Sequence, residues 1–199
     1  GDFSWTPAIG DEGIHTFTIY VDDNNCPRVG TRIKTYRINV QPQAPNTVIT
    51  SPDTSICVGD SAQLNAIVTG PNPVYQWTPS TGLSNPNIQN PKASPNNTIT
   101  YTVTVNYSNA TSSSDQVTLT VNTRPTVAIT NQIDATCVNI NNGTAVANAS
   151  GTTGSYTYQW DANTGNQTTD TAVNLATGSY QVVAQDLHGC TDSTIANIG

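Results

Sequence analysis

Three times along the chain a segment carrying a tryptophan is followed by an alternating segment headed by an aromatic, and these hold its only three tryptophans. Phe3-Ser4-Trp5-Thr6-Pro7 precedes Phe17-Thr18-Ile19-Tyr20-Val21, and Tyr75-Gln76-Trp77-Thr78-Pro79 precedes Tyr101-Thr102-Val103-Thr104-Val105. Ser155-Tyr156-Thr157-Tyr158-Gln159-Trp160 precedes Tyr180-Gln181-Val182-Val183-Ala184. Period-two alternation puts each aromatic and its apolar followers on one face of a strand. A Trp-bearing strand behind a strand headed by Tyr or Phe is how two sheets build a common dry interior. The repetition makes the chain an array, with Trp5, Trp77, Trp160, Phe17, Tyr101 and Tyr180 expected in successive cores.

Composition agrees. Only 10% of residues are charged and 35% hydrophobic, and Met is absent. Short β-branched strands joined by Asn, Gly and Pro turns fit this profile, and long amphipathic helices do not. The net charge is −7 with six basic residues, none of them after Arg124. Such a surface repels phosphate and argues against nucleic acid as a partner. No apolar run is long enough for a membrane-spanning helix, so membrane insertion is not expected.

The expected fold class is all-β, with tandem immunoglobulin-like β-sandwich domains in an extended rod. Residues 1–41 read as the C-terminal half of an immunoglobulin- or cadherin-like domain, because nothing precedes Trp5 to complete its sandwich. That piece alone would expose an apolar face formed by Phe17, Ile19 and Val21 with Tyr36, Ile38 and Val40. Residues 42–123 form a second domain, with strands expected at 47–50, 61–68, 74–77, 98–105 and 117–121. The Pro- and Asn-rich stretch 79–97 is expected to be an irregular cover. Residues 124–199 form a third, with Asn141-Asn142-Gly143 as a tight-turn signal before a strand at 144–149, and Asp186-Leu187-His188-Gly189 as its last hairpin loop. Prolines at 42, 45 and 125 make the boundaries short and stiff.

The four cysteines, Cys26, Cys57, Cys137 and Cys190, contain no Cys-x-x-Cys and accompany only two histidines, so disulfides in an oxidising compartment are favoured over zinc. Two pairings stand open. Cys137 with Cys190 would close a loop inside the third domain worth about 4 kcal/mol on the chain-entropy estimate, but would leave Cys57 single. Alternatively, Cys57 and Cys137 each precede the turn joining the first two strands, whereas Cys190 and Cys26 lie in the hairpin joining the last two. Those ends of one sandwich are roughly 20 Å or more apart, beyond the roughly 7 Å reach of a disulfide. Cys57 would then meet Cys190 across the junction of two domains, with Cys26 and Cys137 pairing outside residues 1–199.

No catalytic constellation emerges, and the chain is not expected to be an enzyme. His15 and His188 fall in different domains without a nucleophile motif. Asp11-Glu12 and Asp22-Asp23 are adjacent residues, which point to opposite sides of an extended chain.

Several motifs of the third domain resemble the SprB repeat of Bacteroidota surface adhesins: Cys137, Asn142-Gly143-Thr144, Gly154 to Trp160, Leu175-Ala176-Thr177-Gly178-Ser179-Tyr180 and Asp186-Leu187-His188-Gly189-Cys190-Thr191. Ser55-Ile56-Cys57-Val58-Gly59-Asp60-Ser61, Tyr75 to Pro79 and Thr100 to Val105 resemble the PKD-like immunoglobulin modules of the same proteins. Trp5 through Pro27 is similar to their cadherin-like repeats. The cadherin likeness suggests calcium at Asp22, Asp23, Asn24 and Asn25. The other reading is a solvated turn bonding its own backbone, which the lack of an EF-hand spacing favours. Otherwise no cofactor is expected.

The resemblance implies an extracellular, cell-surface stalk exported by type IX secretion, holding a binding tip away from the cell in adhesion or gliding motility. Its partners would be neighbouring repeats of the same chain, the secretion and motility machinery of the envelope, and an external surface or polysaccharide. Two other readings compete: spacer modules of a secreted polysaccharide- or protein-degrading enzyme, or a carbohydrate-binding module.

Overall fold

The computed structural model describes residues 4–7, 11–22, 31–41, 44–137 and 140–199. It divides into two compact units, Gly1–Pro45 and Asn46–Gly199.

In the first unit β1 (Gly13–Asp22) and β2 (Thr31–Val40) form an antiparallel pair in continuous register from Gly13↔Val40 to Asp22↔Thr31. Phe17 stands opposite Tyr36, and His15 opposite Ile38. Trp5 lies over this face, its ring 4.9 Å from that of His15 and 5.6 Å from that of Phe17. Trp5 and Phe17, expected in a closed core, are only half-buried, while Tyr36 and Ile38 are exposed, in keeping with the apolar face that this piece is expected to leave open. The reason is that, among the described residues, the two strands make one layer with no second sheet over it, and a single layer cannot exclude water. The expected calcium loop is not assessed by the structure, since Asp23, Asn24 and Asn25 lie outside the described residues, as does Cys26, and only the backbone of Asp22 is described.

The second unit holds two cores. Around the first run β3 (Thr47–Thr50), β4 (Thr54–Cys57), β5 (Ala62–Gln63), β6 (Ala66–Thr69), β7 (Val74–Thr78), β8 (Lys92–Ala93), β9 (Ile99–Asn106) and β10 (Ser112–Asn122). One sheet has the order β4-β10-β9-β7, and opposite it lie the pairs β3-β6 and β5-β8. Trp77, Tyr101, Val103, Val105, Val117 and Leu119 alternate inward from the four-stranded sheet, meeting Val48, Leu64 and Ala66. Tyr101 and Trp77 are 0% and 1% exposed, so here the expected aromatic core is present.

The strand expected at 61–68 is broken in two. The Leu64 amide donates to the Pro91 carbonyl at 3.0 Å, so β5 pairs with β8 while β6 pairs with β3. β4 had no apolar alternation to reveal it, and it pairs in parallel with the end of β10, Thr54↔Leu119 to Cys57↔Asn122. Apart from β8, residues 79–97 are an irregular cover, held where Trp77 Nε1 donates to the Ile88 carbonyl at 3.0 Å and the Tyr101 hydroxyl to the Thr81 carbonyl at 2.7 Å.

The second core lies between β11 (Thr126–Ile133), β12 (Gly143–Ser150) and β14 (Thr171–Leu175) on one side and β13 (Thr157–Trp160), β15 (Gly178–Gln185) and β16 (Thr191–Ile198) on the other. β12 supplies Ala145, Ala147 and Ala149, small side chains that leave room for Trp160 and Tyr180, which are 0% and 6% exposed. Asn141-Asn142-Gly143 is not a two-residue turn. Gly143 already begins β12, and Asn142 Oδ1 instead accepts the Thr136 amide at 3.0 Å to shape a longer loop. Glycine is required at 143 for space: a Cβ there would stand 2.8 Å from Ile198 Cγ2 and 2.9 Å from the Leu175 carbonyl.

Candidate functional site at the junction of the two sandwiches

β10 ends at Asn122 and β11 begins at Thr126, so one extended chain leaves the first sandwich and enters the second through Thr123, Arg124 and Pro125. Proline at 125 restricts its own φ and keeps Arg124 extended. Arg124 is the last basic residue of an acidic chain, and it spends its fork on both sides of the joint. Its Nε donates to the Val58 carbonyl at 2.9 Å and Nη2 to Asp60 Oδ1 at 2.7 Å, both on the first sandwich. Its Nη1 donates to the Thr191 carbonyl of the second at 3.2 Å. A planar guanidinium can serve three acceptors at once, where an ammonium could not hold the same fixed angles.

The acceptors are presented by a turn. The Asp60 amide donates to the Cys57 carbonyl at 2.9 Å, and the Val58 amide to the Asn122 carbonyl at 2.9 Å, fixing residues 57–60 against the end of β10. On the other side the hairpin between β15 and β16 is closed by Asp186, whose amide donates to the Cys190 carbonyl at 3.0 Å. Asp186 Oδ1 accepts the amides of His188 and Cys190, each at 2.9 Å. Its Oδ2 is buried, and the nearest cation-forming group is His188 Nδ1 at 3.9 Å.

Between these two turns lies a disulfide joining Cys57 to Cys190, with Cα atoms 5.6 Å apart and a sequence separation of 133. Cys190 is fully buried. The intradomain alternative is corrected: Cys137 is free and exposed, and does not pair with Cys190. The reason is topological. Cys137 follows β11 at the far end of its sandwich, whereas Cys190 sits in the hairpin facing the preceding one.

Polar clefts flank the joint. One, of about 550 Å³, is lined by Ser55, Cys57, Asp60 and His188, and a second, of about 360 Å³, by Asn122, Thr123, Thr152 and His188. Among the described residues no group of His, Cys, Asp or Glu is arranged to hold a metal. His15 belongs to the first unit, where its Nε2 donates to the Asp11 carbonyl, 2.6 Å away.

Of the residues singled out from sequence, the structure brings together Cys57 and Cys190 and buries Trp77, Trp160, Tyr101 and Tyr180. No motif in the sequence marks Arg124, Asp60 or Asp186 as part of the joint. The available signal is the last arginine of a basic-poor chain standing directly before the linker proline.

No family model matches the chain, and no curated protein matches it. Among solved structures it is similar to the N-terminal eight Ig domains of Down Syndrome Cell Adhesion Molecule, with TM-score 0.55 and 10% identity over 95% of this chain and 31% of that one. It also aligns with a C-terminal 282-residue fragment of intimin in complex with the translocated intimin receptor intimin-binding domain, at TM-score 0.47 and 15% identity over 78% and 64% of the two chains. Sidekick-1 immunoglobulin domains 1–4 give TM-score 0.37 and 14% identity over 96% and 59%. The chain thus spans less than a third of the first of these fragments. What the chain shares with the first of these is the fold, a tandem of immunoglobulin-like β-sandwiches.

Proposed function

We propose that the chain is a structural stalk segment of a large secreted cell-surface adhesin, whose modules hold a binding tip at a distance and bear load, and which catalyses nothing itself. The observation that carries this reading is the joint between the two sandwiches, where a disulfide and the three-way Arg124 clamp both act on one short linker. A ligand-binding pair of domains gains from a cleft that can open, whereas a spacer gains from a joint that cannot. Pinning the joint in this way preserves length and direction from one module to the next.

The SprB-repeat resemblance of residues 137–191 supports placing that adhesin on the surface of a Bacteroidota cell, exported by type IX secretion and acting in adhesion or gliding. On this reading the partners are neighbouring modules of the same protein and, indirectly, the surface touched by its tip. The test is direct titration of the purified 199-residue chain against polysaccharides and against the immobilised chain itself. A spacer gives no saturable signal, while saturable binding of a polysaccharide by residues 46–199 would replace the spacer reading with that of a carbohydrate-binding module.

A further inference from the structure

We propose that the Cys57–Cys190 bond is a mechanical bypass. When the chain is drawn from its two ends, tension passes from the first strands of one sandwich directly to the last strand of the next. Residues 58–189 then carry none of it. That loop contains every buried residue of the two cores except Val48 in one and Ala196 and Ile198 in the other.

The argument follows the covalent path. From the N-terminal side the pull reaches β3 and β4, arrives at Cys57, crosses the sulfurs to Cys190 and leaves along β16. Without the bond, β4 is drawn toward its N-terminus and β10 toward its C-terminus. The two are parallel neighbours, so this pull slides them lengthwise and loads all the pairs from Leu119↔Thr54 to Asn122↔Cys57 together. With the bond, β4 is pulled at both of its own ends and β10 is slack. The same holds in the second sandwich, where β16 begins at Thr191, next to Cys190, and its partner β15 is spared. The bond therefore converts a joint that would unfold two cores in series into one that yields little length.

The length withheld is large. A separation of 133 residues corresponds to roughly 450 Å of extended chain at ~3.4 Å per residue. The biological meaning of the bypass rests on the load-bearing reading above, but its measurement does not. A chain that bound a polysaccharide would fail as a spacer and still withhold this length.

The test is single-molecule stretching of the full 199-residue chain by its ends, before and after dithiothreitol. The reductant is oxidised to its cyclic disulfide and returns two electrons and two protons to the sulfurs of Cys57 and Cys190. The oxidised chain is expected to release about 450 Å less contour length than the reduced one, and Cys57→Ser is expected to behave as the reduced chain without reductant. Cys137→Ser is expected to change neither trace. Equal release in both states overturns the proposal. So does a deficit near 180 Å, the extended length of about 3.4 Å per residue over the sequence separation of 53 from Cys137 to Cys190. The reductant arm on the unmodified chain keeps the test decisive should Cys57→Ser not fold.

Discussion

Arg124 Nη2 and Asp60 Oδ1 meet at 2.7 Å across the entrance to the second sandwich, yet their side chains keep 36% and 50% of their exposure. Water and salt therefore screen the charge pair, and its own contribution is at most about 1 kcal/mol. The carbonyls of Val58 and Thr191 make Arg124 more than half of an ion pair, because these acceptors belong to different sandwiches. Asp60→Asn is expected to lower stability by less than about 0.5 kcal/mol, and Arg124→Ala by about 1–2 kcal/mol. Arg124→Lys should fall nearer to alanine than to arginine, since an ammonium cannot reach three acceptors from the guanidinium's position. Urea unfolding of the three variants checks the order. Equal losses for Asp60→Asn and Arg124→Ala would show that the ion pair alone matters.

The two buried indoles do the same second task. Trp77 Nε1 donates to the Ile88 carbonyl and Trp160 Nε1 to the Thr169 carbonyl, at 3.0 and 2.9 Å. In each sandwich the tryptophan both fills the core and ties down the segment that follows its strand. Tyr101 adds a second tie through its hydroxyl to Thr81. Tyr101→Phe is expected to cost about 1 kcal/mol, leaving the core volume intact and the cover at residues 79–97 less firmly held. Limited proteolysis should then cut within 79–97 earlier than in the parent chain. Trp77→Phe, which removes both volume and donor, is expected to cost about 2–4 kcal/mol.

What the sequence revealed and what it hid divide along physical lines. Alternation marked β9, β10, β12 and β15, because one face of each is dry and the other wet, and that contrast is written residue by residue. The same logic located Trp77, Trp160, Tyr101 and Tyr180 in the cores. β4 was invisible, since Thr54-Ser55-Ile56-Cys57 owes its strand conformation to a parallel neighbour 65 residues away and not to an apolar face of its own. The split of 61–68 was hidden for the same reason: the Pro91 carbonyl that captures the Leu64 amide comes from a remote loop. Topology made the Cys57–Cys190 pair available as one of two choices, but choosing required knowing which ends face one another. Arg124 showed itself only as an oddity of composition.

Gly143 offers a test of packing against backbone strain. Its place at the start of β12 leaves no room for a methyl group between Ile198 Cγ2 and the Leu175 carbonyl. Gly165, by contrast, has open space around it but a φ of +77°. Gly143→Ala is expected to cost about 1–3 kcal/mol through forced separation of β12 from β14 and β16. Gly165→Ala is expected to cost about 1 kcal/mol through the left-handed backbone alone. Thermal unfolding ranks them, and a harmless Gly143→Ala would show that the two sheets part easily at this end.

Acid should weaken the tie between β3 and β10. Asp115 Oδ2 accepts the Thr50 amide at 2.8 Å and the Thr50 hydroxyl at 3.0 Å, tying β10 to the end of β3 across the two sheets. The Thr50 amide foremost, with the Gln116 amide and the Thr50 hydroxyl, holds the Asp115 carboxyl below its ordinary value, against a smaller opposing effect of burial. A carboxyl lowered in the folded state adds stability above the unfolded value of about 3.9, and that stability disappears as pH falls through the folded value. The parent chain is therefore expected to lose stability progressively below about pH 4. Asp115→Asn should show a shallower decline there, together with a loss of about 1–2 kcal/mol at neutral pH from the weakened tie. Urea midpoints collected from pH 7 to pH 2.5 on both chains make the comparison. Parallel curves for the two would mean that the Asp115–Thr50 tie contributes nothing to the acid sensitivity of the fold.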